Sequence, residues 1–531
     1  MDERYCRRIR GFDLTSQFSA DSQAVETDVL VLGGGGTGLA AAVSAAEHGA
    51  QVIVAEKCNA LGGTTGLSIG SITACCTSYQ ASQGIIDSPE TFFEDMKTFN
   101  GELDQYDNKE LLWVLIREGG PTIEWLRSHG FEFVGPNLEA GHRAPRMHNV
   151  IPNALSYPVL LQRAAVKAGV RFLFNTSGQK LIRAGGRVTG AILSHTRSGV
   201  PLKVYARRGV ILACGDYSGS TMLKERYLSA ELAKIPAYNP DCQGEGHVMG
   251  TEVGGRLVNM DVFNGPDVRF IPAPKRLWNE LLPSHPLLIK AYAAAARLLP
   301  GRIVTRLARS ILTTRGAPQA GLYREGAILV NSQGVRFTDE LRDSTFSIGR
   351  QPEGQAYIVF DSRLAQKFSA WPYFISTAAG IAYAYVQDYE RDVPDITSRG
   401  DTLETAAKIH PKPERLLETV KRYNRFVEKG KDEDFGRLSL GEGILEPPFY
   451  VMGPALAYIG VTKGGLDVTT RLEVLDQSGQ VIPGLFAGGK NGGGLIMTGH
   501  GLNLAWAFTS GRLAGEIAAR SATWTGTIGS V

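Results

Sequence analysis

Apolar residues run in two rhythms along this chain, one of strands and one of helices. At 27–33, TDVLVLG is an unbroken apolar stretch of strand length, GGGGTG follows at 33–38, and LAAAVSAAEHGA at 39–50 has the composition and length of a helix. After the turn at Gly49, QVIVAEK reads as a second strand ending in Glu56. The predicted order is strand, glycine turn, helix, strand, acid. Near the other end, VIPGLFAGG at 481–489 predicts a turn and a short buried strand, and GLNLAWAFTSGRLAGEIAA at 501–519 has helical apolar spacing from Gly501 onward. Between them, Arg302, Arg306 and Arg309 fall on one side of a predicted helix, with Ile303, Val304, Leu307 and Ile311 opposite.

The first of these patterns carries chemistry. Gly33 allows a tight turn, Gly35 lets backbone approach a pyrophosphate, and Gly38 lets the helix pack closely on its strand, while Gly36 and Thr37 complete the loop. The helix N-terminus then faces phosphate. Glu56 lies 18 residues beyond Gly38, where an acid accepts hydrogen bonds from an adenosine ribose. This is the pattern of dinucleotide binding.

The residues after Glu56 choose among dinucleotides. EKCNALGGTTGLSIGSI places a second glycine-rich loop directly after the acid, with Gly62, Gly63 and Gly70 and hydroxyls at Thr64, Thr65 and Ser68. Here the chain resembles the FAD-dependent fumarate reductase and 3-ketosteroid dehydrogenase superfamily, whose members carry an E-K-x-x-x-x-G-G-[ST]-[ST] segment at this point. RRGVILACGDYSG at 207–219, QGEGHVMG at 243–250, GAILVNSQGVRFTDE at 326–340 and the C-terminal stretches above extend the likeness from about Glu26 to Ala519. The resemblance implies an α/β fold: a Rossmann-like FAD-binding domain, discontinuous in sequence, with an inserted α+β capping domain. On that reading residues 1–25 are a flexible arm, 26–265 and 446–531 form the FAD-binding domain, and 266–445 form the cap, including a basic amphipathic insertion at 274–315. FAD is the implied cofactor, held by the glycines and hydroxyls above together with Lys57, Ala213, Gly215, Glu245, Gly488, Asn503 and Leu504. No metal is expected. Lys490 and Asn491 stand where the family has an acid after A-A-G.

The implied reaction is oxidation or reduction of a carbon-carbon bond next to a carbonyl, with hydride exchanged at the flavin and a proton exchanged at the neighbouring carbon. Fumarate reductases use an arginine acid and a clamp of arginines and a histidine on the dicarboxylate. Ser344, Thr498 and Gly460 occupy those positions, and Arg342 is two residues out of place. Ketosteroid dehydrogenases use tyrosines or serine and a backbone N-H from the C-terminal helix, which points to Ser344, Thr498, His500 and Gly501. His500, at the helix start, is the leading candidate for an acid, base or carbonyl donor, and Tyr323 is a second donor from the cap side. The expected substrate is a hydrophobic cyclic ketone of steroid type. The alternatives are reduction of an unsaturated acid, which would call on Arg143 or Arg146 in HRAPRMHN, and a non-catalytic flavin-binding electron-transfer protein. Spacing does not separate site from core among Tyr373, Tyr383, Tyr385 and Tyr389.

Composition narrows the partners. With 531 residues, 43% hydrophobic, and 56 basic against 53 acidic residues, the chain fits a soluble globular class and lacks the basic excess of a nucleic-acid binder. Six cysteines in no metal or haem spacing suggest idle thiols in a reducing, cytoplasmic setting. No second strand-bound G-x-G-x-x-G appears, so electrons are expected to pass through a separate carrier. No apolar run reaches transmembrane length. The insertion at 274–315 nevertheless carries eight Lys or Arg and one acid, Glu280. It is expected to contact an anionic membrane surface, the cap domain or a partner subunit.

Overall fold

The computed structural model describes residues 24–272, 278–299, 301–342, 344–378 and 382–526. The arm expected at 1–25 lies outside them except for its last two residues, and Val25 already belongs to a strand. That strand, β1 (Val25–Leu32), is followed by helix α1 (Gly36–Glu47) and β2 (Val52–Ala55). Then come the short helix α2 (Gly63–Leu67), the long α3 (Lys109–Ser128), β3 (Arg171–Leu173), the hairpin β4 (Thr176–Ala184) and β5 (Arg187–His195), β6 (Pro201–Leu212) and α4 (Glu245–Glu252). The apolar run of β1 is buried almost throughout because parallel strands flank it on both sides.

The inserted body follows. It contains β7 (Asp267–Phe270), helices α5 (Pro286–Leu298) and α6 (Gly301–Arg315), β8 (Ile328–Asn331), β9 (Gln355–Phe360), β10 (Thr397–Gly400) and β11 (Phe449–Tyr458). Its antiparallel sheet has the order β7-β11-β9-β8, with β10 also on β11. The expected return at 446 is therefore too early. β11 is still the central strand of the cap sheet, and the chain crosses back only after Tyr458.

The last segment supplies β12 (Glu473–Leu475), β13 (Val481–Ala487) and α7 (Leu502–Arg520). It completes a sheet of order β12-β13-β6-β1-β2-β3, parallel from β13 to β3, so the nucleotide-type domain is assembled from both ends of the chain. Helices α1 and α7 cross with backbone almost in contact. A Cβ on Gly511 would lie 2.3 Å from the Thr37 carbonyl oxygen, and one on Gly515 would lie 2.2 Å from that of Ala41. Much of the glycine therefore serves close approach rather than looseness.

The basic insertion divides between the two bodies. Ile289 of α5 joins the main core, with Tyr292 packed against it, Ala293 is also buried, and Leu312 of α6 joins the cap core. Arg309 does not face outward with Arg306. Its guanidinium lies over the Tyr385 ring at 4.9 Å and within 3.8 Å of Asp388. The side chain of Arg302 lies outside the described residues. Tyr389 is buried and donates to Ser376 at 2.8 Å, which assigns it to the core.

Candidate active site

The glycine turn, the second loop and the start of α7 enclose a cavity of about 330 Å³. Gly33, Gly35, Gly36, Thr37, Glu56, Lys57, Gly63, Thr64, Thr65, Ser68, Ala213, Gly215, Glu245, Gly488, Asn503 and Leu504 all line it, so most of the expected cofactor residues converge on one space. Gly38, Gly62 and Gly70 stand behind the wall. A Cβ on Gly38 would sit 1.8 Å from the Gly33 carbonyl oxygen, Gly62 N-H donates to Gly34 O at 2.9 Å, and the Gly70 carbonyl accepts from Tyr157 at 2.8 Å. Gly35 differs from Gly38. A Cβ there would meet only Gly62 O, at 3.9 Å, because its open side faces the cavity.

Polar groups in this wall are partly spoken for and partly unmatched. Glu56 accepts Gly34 N-H at 2.6 Å and Cys58 N-H at 2.8 Å, and burial pushes its carboxyl above the usual range against those bonds. Lys57 pairs with Glu245 at 2.5 Å; burial works against its charge, but Glu245 outweighs this and holds the ammonium above its ordinary value. Three buried atoms of this wall have no partner among the described residues: Glu245 Oε2, Lys490 Nζ and Asn503 Oδ1. Burial, reinforced by nearby Lys463, drives the Lys490 ammonium well below the lysine range. Donors and acceptors left open on a cavity wall are groups that a bound ligand can pair with. A group bearing ribose and ribityl hydroxyls, phosphates and ring carbonyls fits them, with Lys490 as a donor where the family has an acid. Asn491 does not line the cavity. Its amide bonds to Cys214 N at 2.6 Å and to Gly215 O at 3.0 Å, fastening the two halves of the domain together.

The end of α7 holds the acid-base candidate. His500 precedes the N-cap Gly501, which has φ +74° and packs so closely that a Cβ would lie 2.7 Å from Thr73 Oγ1. The His500 imidazole Nδ1 makes a very short contact with Glu139, and the His500 backbone N-H donates to both Glu139 oxygens, at 3.0 and 3.2 Å. Glu139 is nearly buried while the imidazole is 53% exposed. The hydrogen bond to Glu139 raises the His500 pKa above its ordinary value. A carboxylate on Nδ1 leaves Nε2 as the ring atom on the open side. Nothing in the local sequence pattern pointed to Glu139.

The other catalytic candidates are placed differently. The Thr498 hydroxyl lies 3.0 Å from Phe99 O and 2.9 Å from Asn100 Oδ1, where it fixes the loop before the helix. Ser344 opens the short helix Ser344–Gly349, which packs through Phe346 against Ile235 and Ile459, beside Gly460. Tyr323 is only 4% exposed and sits in the cap core, with its carbonyl bonded to Arg437, so core packing replaces the expected donor role.

The arginines of HRAPRMHN are likewise occupied. Arg146 is fully buried between Asp87 and Asp95, at 2.6 Å from each, and Arg143 is held by Asp95 at 2.6 Å. Burial and the neighbouring Arg146 push the His142 pKa down to about 4. Arg146 is not available as a carboxylate clamp, and Arg143 is already engaged through Nε and Nη2. Arg146→Met should cost about 3–5 kcal/mol in urea unfolding, since it leaves Asp87 buried without its counter-ion and Asp95 with Arg143 alone. A loss under about 1 kcal/mol would show that the ion cluster does not hold the fold.

A family model described as "FAD binding domain" matches residues 28–266 and 290–499. The chain belongs to the FAD binding domain family. It is an FAD-dependent oxidoreductase. The chain is 28% identical over 508 residues to a fumarate reductase (cytochrome) of Shewanella frigidimarina, covering 93% of this chain and 77% of that one. The open conformation of a flavocytochrome c3 fumarate reductase superposes with a TM-score of 0.71 at 26% identity, over 96% of this chain and 81% of that one. A 3-ketosteroid-Δ4-(5α)-dehydrogenase from Rhodococcus jostii RHA1 shares the fold, with a TM-score of 0.58 at 24% identity over 97% of this chain and 100% of that one. Similarity of sequence thus runs toward the reductases, although the dicarboxylate clamp positions hold Ser344, Thr498 and Gly460.

Proposed function

We propose that this enzyme reduces the carbon-carbon double bond of an unsaturated acid bearing a single carboxylate. The observation that carries this reading is Arg269. Its guanidinium lies 4.8 Å from the Tyr238 ring and 5.9 Å from the Tyr458 ring. It makes no hydrogen bond or ion pair among the described residues. Tyr238 in turn donates to Leu67 O at 2.6 Å, and Leu67, Asn239, Gly460 and Val461 form the adjacent cavity wall. The absence of a side chain at Gly460 leaves Asp267 Oδ2 3.0 Å from where a Cβ would stand. Burial keeps the Asp267 carboxyl above its usual range, opposed by Lys463, which weakens it as a counter-ion for Arg269. A half-buried guanidinium beside two neighbouring aromatic rings, whose centroids are 5.5 Å apart, offers a planar fork of donors, suited to one carboxylate with an aromatic or alkenyl body beside it.

When bound, FAD supplies the hydride to one alkene carbon. The chain's own groups do the rest: Arg269 binds the carboxylate and stabilises charge developing on it, and His500 gives a proton to the other carbon. Two electrons and two protons are consumed per double bond, one proton travelling with the electrons as hydride and the other given by His500, the electrons entering from a separate carrier. Leu67 and Val461, beside Tyr238 and Tyr458, suit a hydrophobic body better than a second carboxylate.

Anaerobic mixing tests the reading. Reduced enzyme should be reoxidised by α,β-unsaturated monocarboxylic acids at least ten times faster than by unsaturated dicarboxylic acids. Arg269→Met should raise KM for the acid about 100-fold while leaving turnover of a neutral enone unchanged, and Arg269→Lys should restore part of the loss. Bleaching of oxidised enzyme by a 3-ketosteroid, with no reoxidation by any acid, would reverse the assignment to a dehydrogenase of cyclic ketones.

A further inference from the structure

Helix α5 turns an apolar stripe to solvent. Leu287, Ala291, Ala294 and Leu298 fall within about 60° of one another at 100° per residue, and all four are exposed, Leu287 at 72% and Leu298 at 85%. Leu288, Leu299 and Ile303 of α6 extend the patch and are also exposed. The stripe is not simply the face left over after docking. Ile289 and Ala293, on the opposite side of α5, are buried, Ile289 in the main core. Pro286 sits against Gly130, and Ser284 Oγ lies 3.2 Å from Ser156 Oγ. The inner face is already satisfied, and the outer one is apolar without a partner.

Charge selects what covers it. Residues 286–315 hold six Lys or Arg and no acid, and within them Lys290 and Arg306 are exposed beside the apolar stripe. The wider insertion at 274–315 carries +7, eight basic residues less one acid, against a whole-chain charge of +3, so the remaining residues sum to −4. An apolar ridge flanked by cations alone is complementary to an anionic, apolar-centred surface. A second copy of the chain would bring the same cations against each other across a two-fold contact. We propose that α5 and the start of α6 form a docking face for an anionic lipid bilayer, with the apolar stripe entering the headgroup boundary and Lys290 and Arg306 meeting the headgroups. No helix among the described residues is long and apolar enough to cross a membrane, so the contact is peripheral. This face is separate from the cavity and does not depend on which substrate the site takes.

The FAD-loaded enzyme is to be sedimented with vesicles of phosphatidylglycerol and phosphatidylcholine mixed, and with phosphatidylcholine alone. Most of the protein should pellet with the mixed vesicles at low salt, little with the neutral ones, and progressively less as salt rises. Leu287→Asp combined with Leu298→Asp should reduce pelleting at least tenfold while flavin content and melting temperature stay at wild-type values, since both side chains are exposed. Failure of the wild type to pellet with mixed vesicles, or equal pelleting of the double variant, overturns the proposal. So does a concentration-dependent dimer that the double variant abolishes, which would assign the stripe to a second copy.

Discussion

Gly35→Val should fold with close to wild-type stability and retain almost no FAD, whereas Gly38→Ala should lose the fold itself. The two glycines are three residues apart in one loop, and the difference lies in what stands opposite each missing side chain. At Gly38 a Cβ would lie 1.8 Å from the Gly33 carbonyl oxygen and 3.0 Å from its carbon. That obstacle is backbone in the turn that starts α1, so it cannot rotate away, and about 3 kcal/mol or more of stability is expected to go. Gly35 has φ −75° and ψ −173°, extended values that valine adopts readily, and its only protein neighbour within reach is Gly62 O at 3.9 Å. The valine methyls enter the cavity instead, where the cofactor's pyrophosphate needs backbone at close range. FAD affinity should fall at least 100-fold. Urea unfolding with and without added FAD separates the effects: wild type should gain about 2.7 kcal/mol at FAD one hundred times its Kd. Gly35→Val should match the wild-type apoprotein and gain nothing. A Gly35→Val protein that keeps yellow stoichiometric flavin would remove this loop from the cofactor site.

That contrast also marks which parts of the molecule the sequence could disclose. The strand, glycine turn, helix and acid between Thr27 and Glu56 are a local pattern, since each residue's role depends on neighbours a few positions away. The α7 helix was legible for the same reason, within one residue at each end. Contacts across the chain were not. Glu139 reaches His500 over 361 positions, and no periodicity encodes such a pairing. Arg269 draws its setting from the neighbouring rings of Tyr238 and Tyr458, residues 220 positions apart in the chain. The boundary at 446 failed because an alternating strand looks alike in either sheet, and only pairing places β11 beside β7 and β9. The helical period of 302–311 was right, but period alone does not say which face finds a partner, and Asp388 with Tyr385 drew Arg309 inward.

Removing the His500 imidazole should lower turnover by about 100-fold to 10,000-fold, the range that a positioned acid contributes, without loss of bound flavin. His500→Asn fits the same space and leaves the backbone bonds from position 500 to Glu139 available, so FAD retention and thermal stability should change little. If Arg269 anchors the substrate, KM should also stay near the wild-type value, which places the loss in the chemical step. Glu139→Gln gives the sharper result. The hydrogen bond to Glu139 is the largest influence raising the His500 pKa, so an amide in its place lets that pKa fall back. For a proton donor the active form is the protonated one, present below its pKa. In wild type, turnover should therefore persist to higher pH before declining, and in Glu139→Gln the same decline should move to lower pH while the low-pH plateau drops far less than in His500→Asn. A carboxylate that merely secured the helix start would alter stability and leave the pH at half-maximal turnover in place. A shift of that midpoint without a change in melting temperature is the outcome expected of a positioning residue acting through His500.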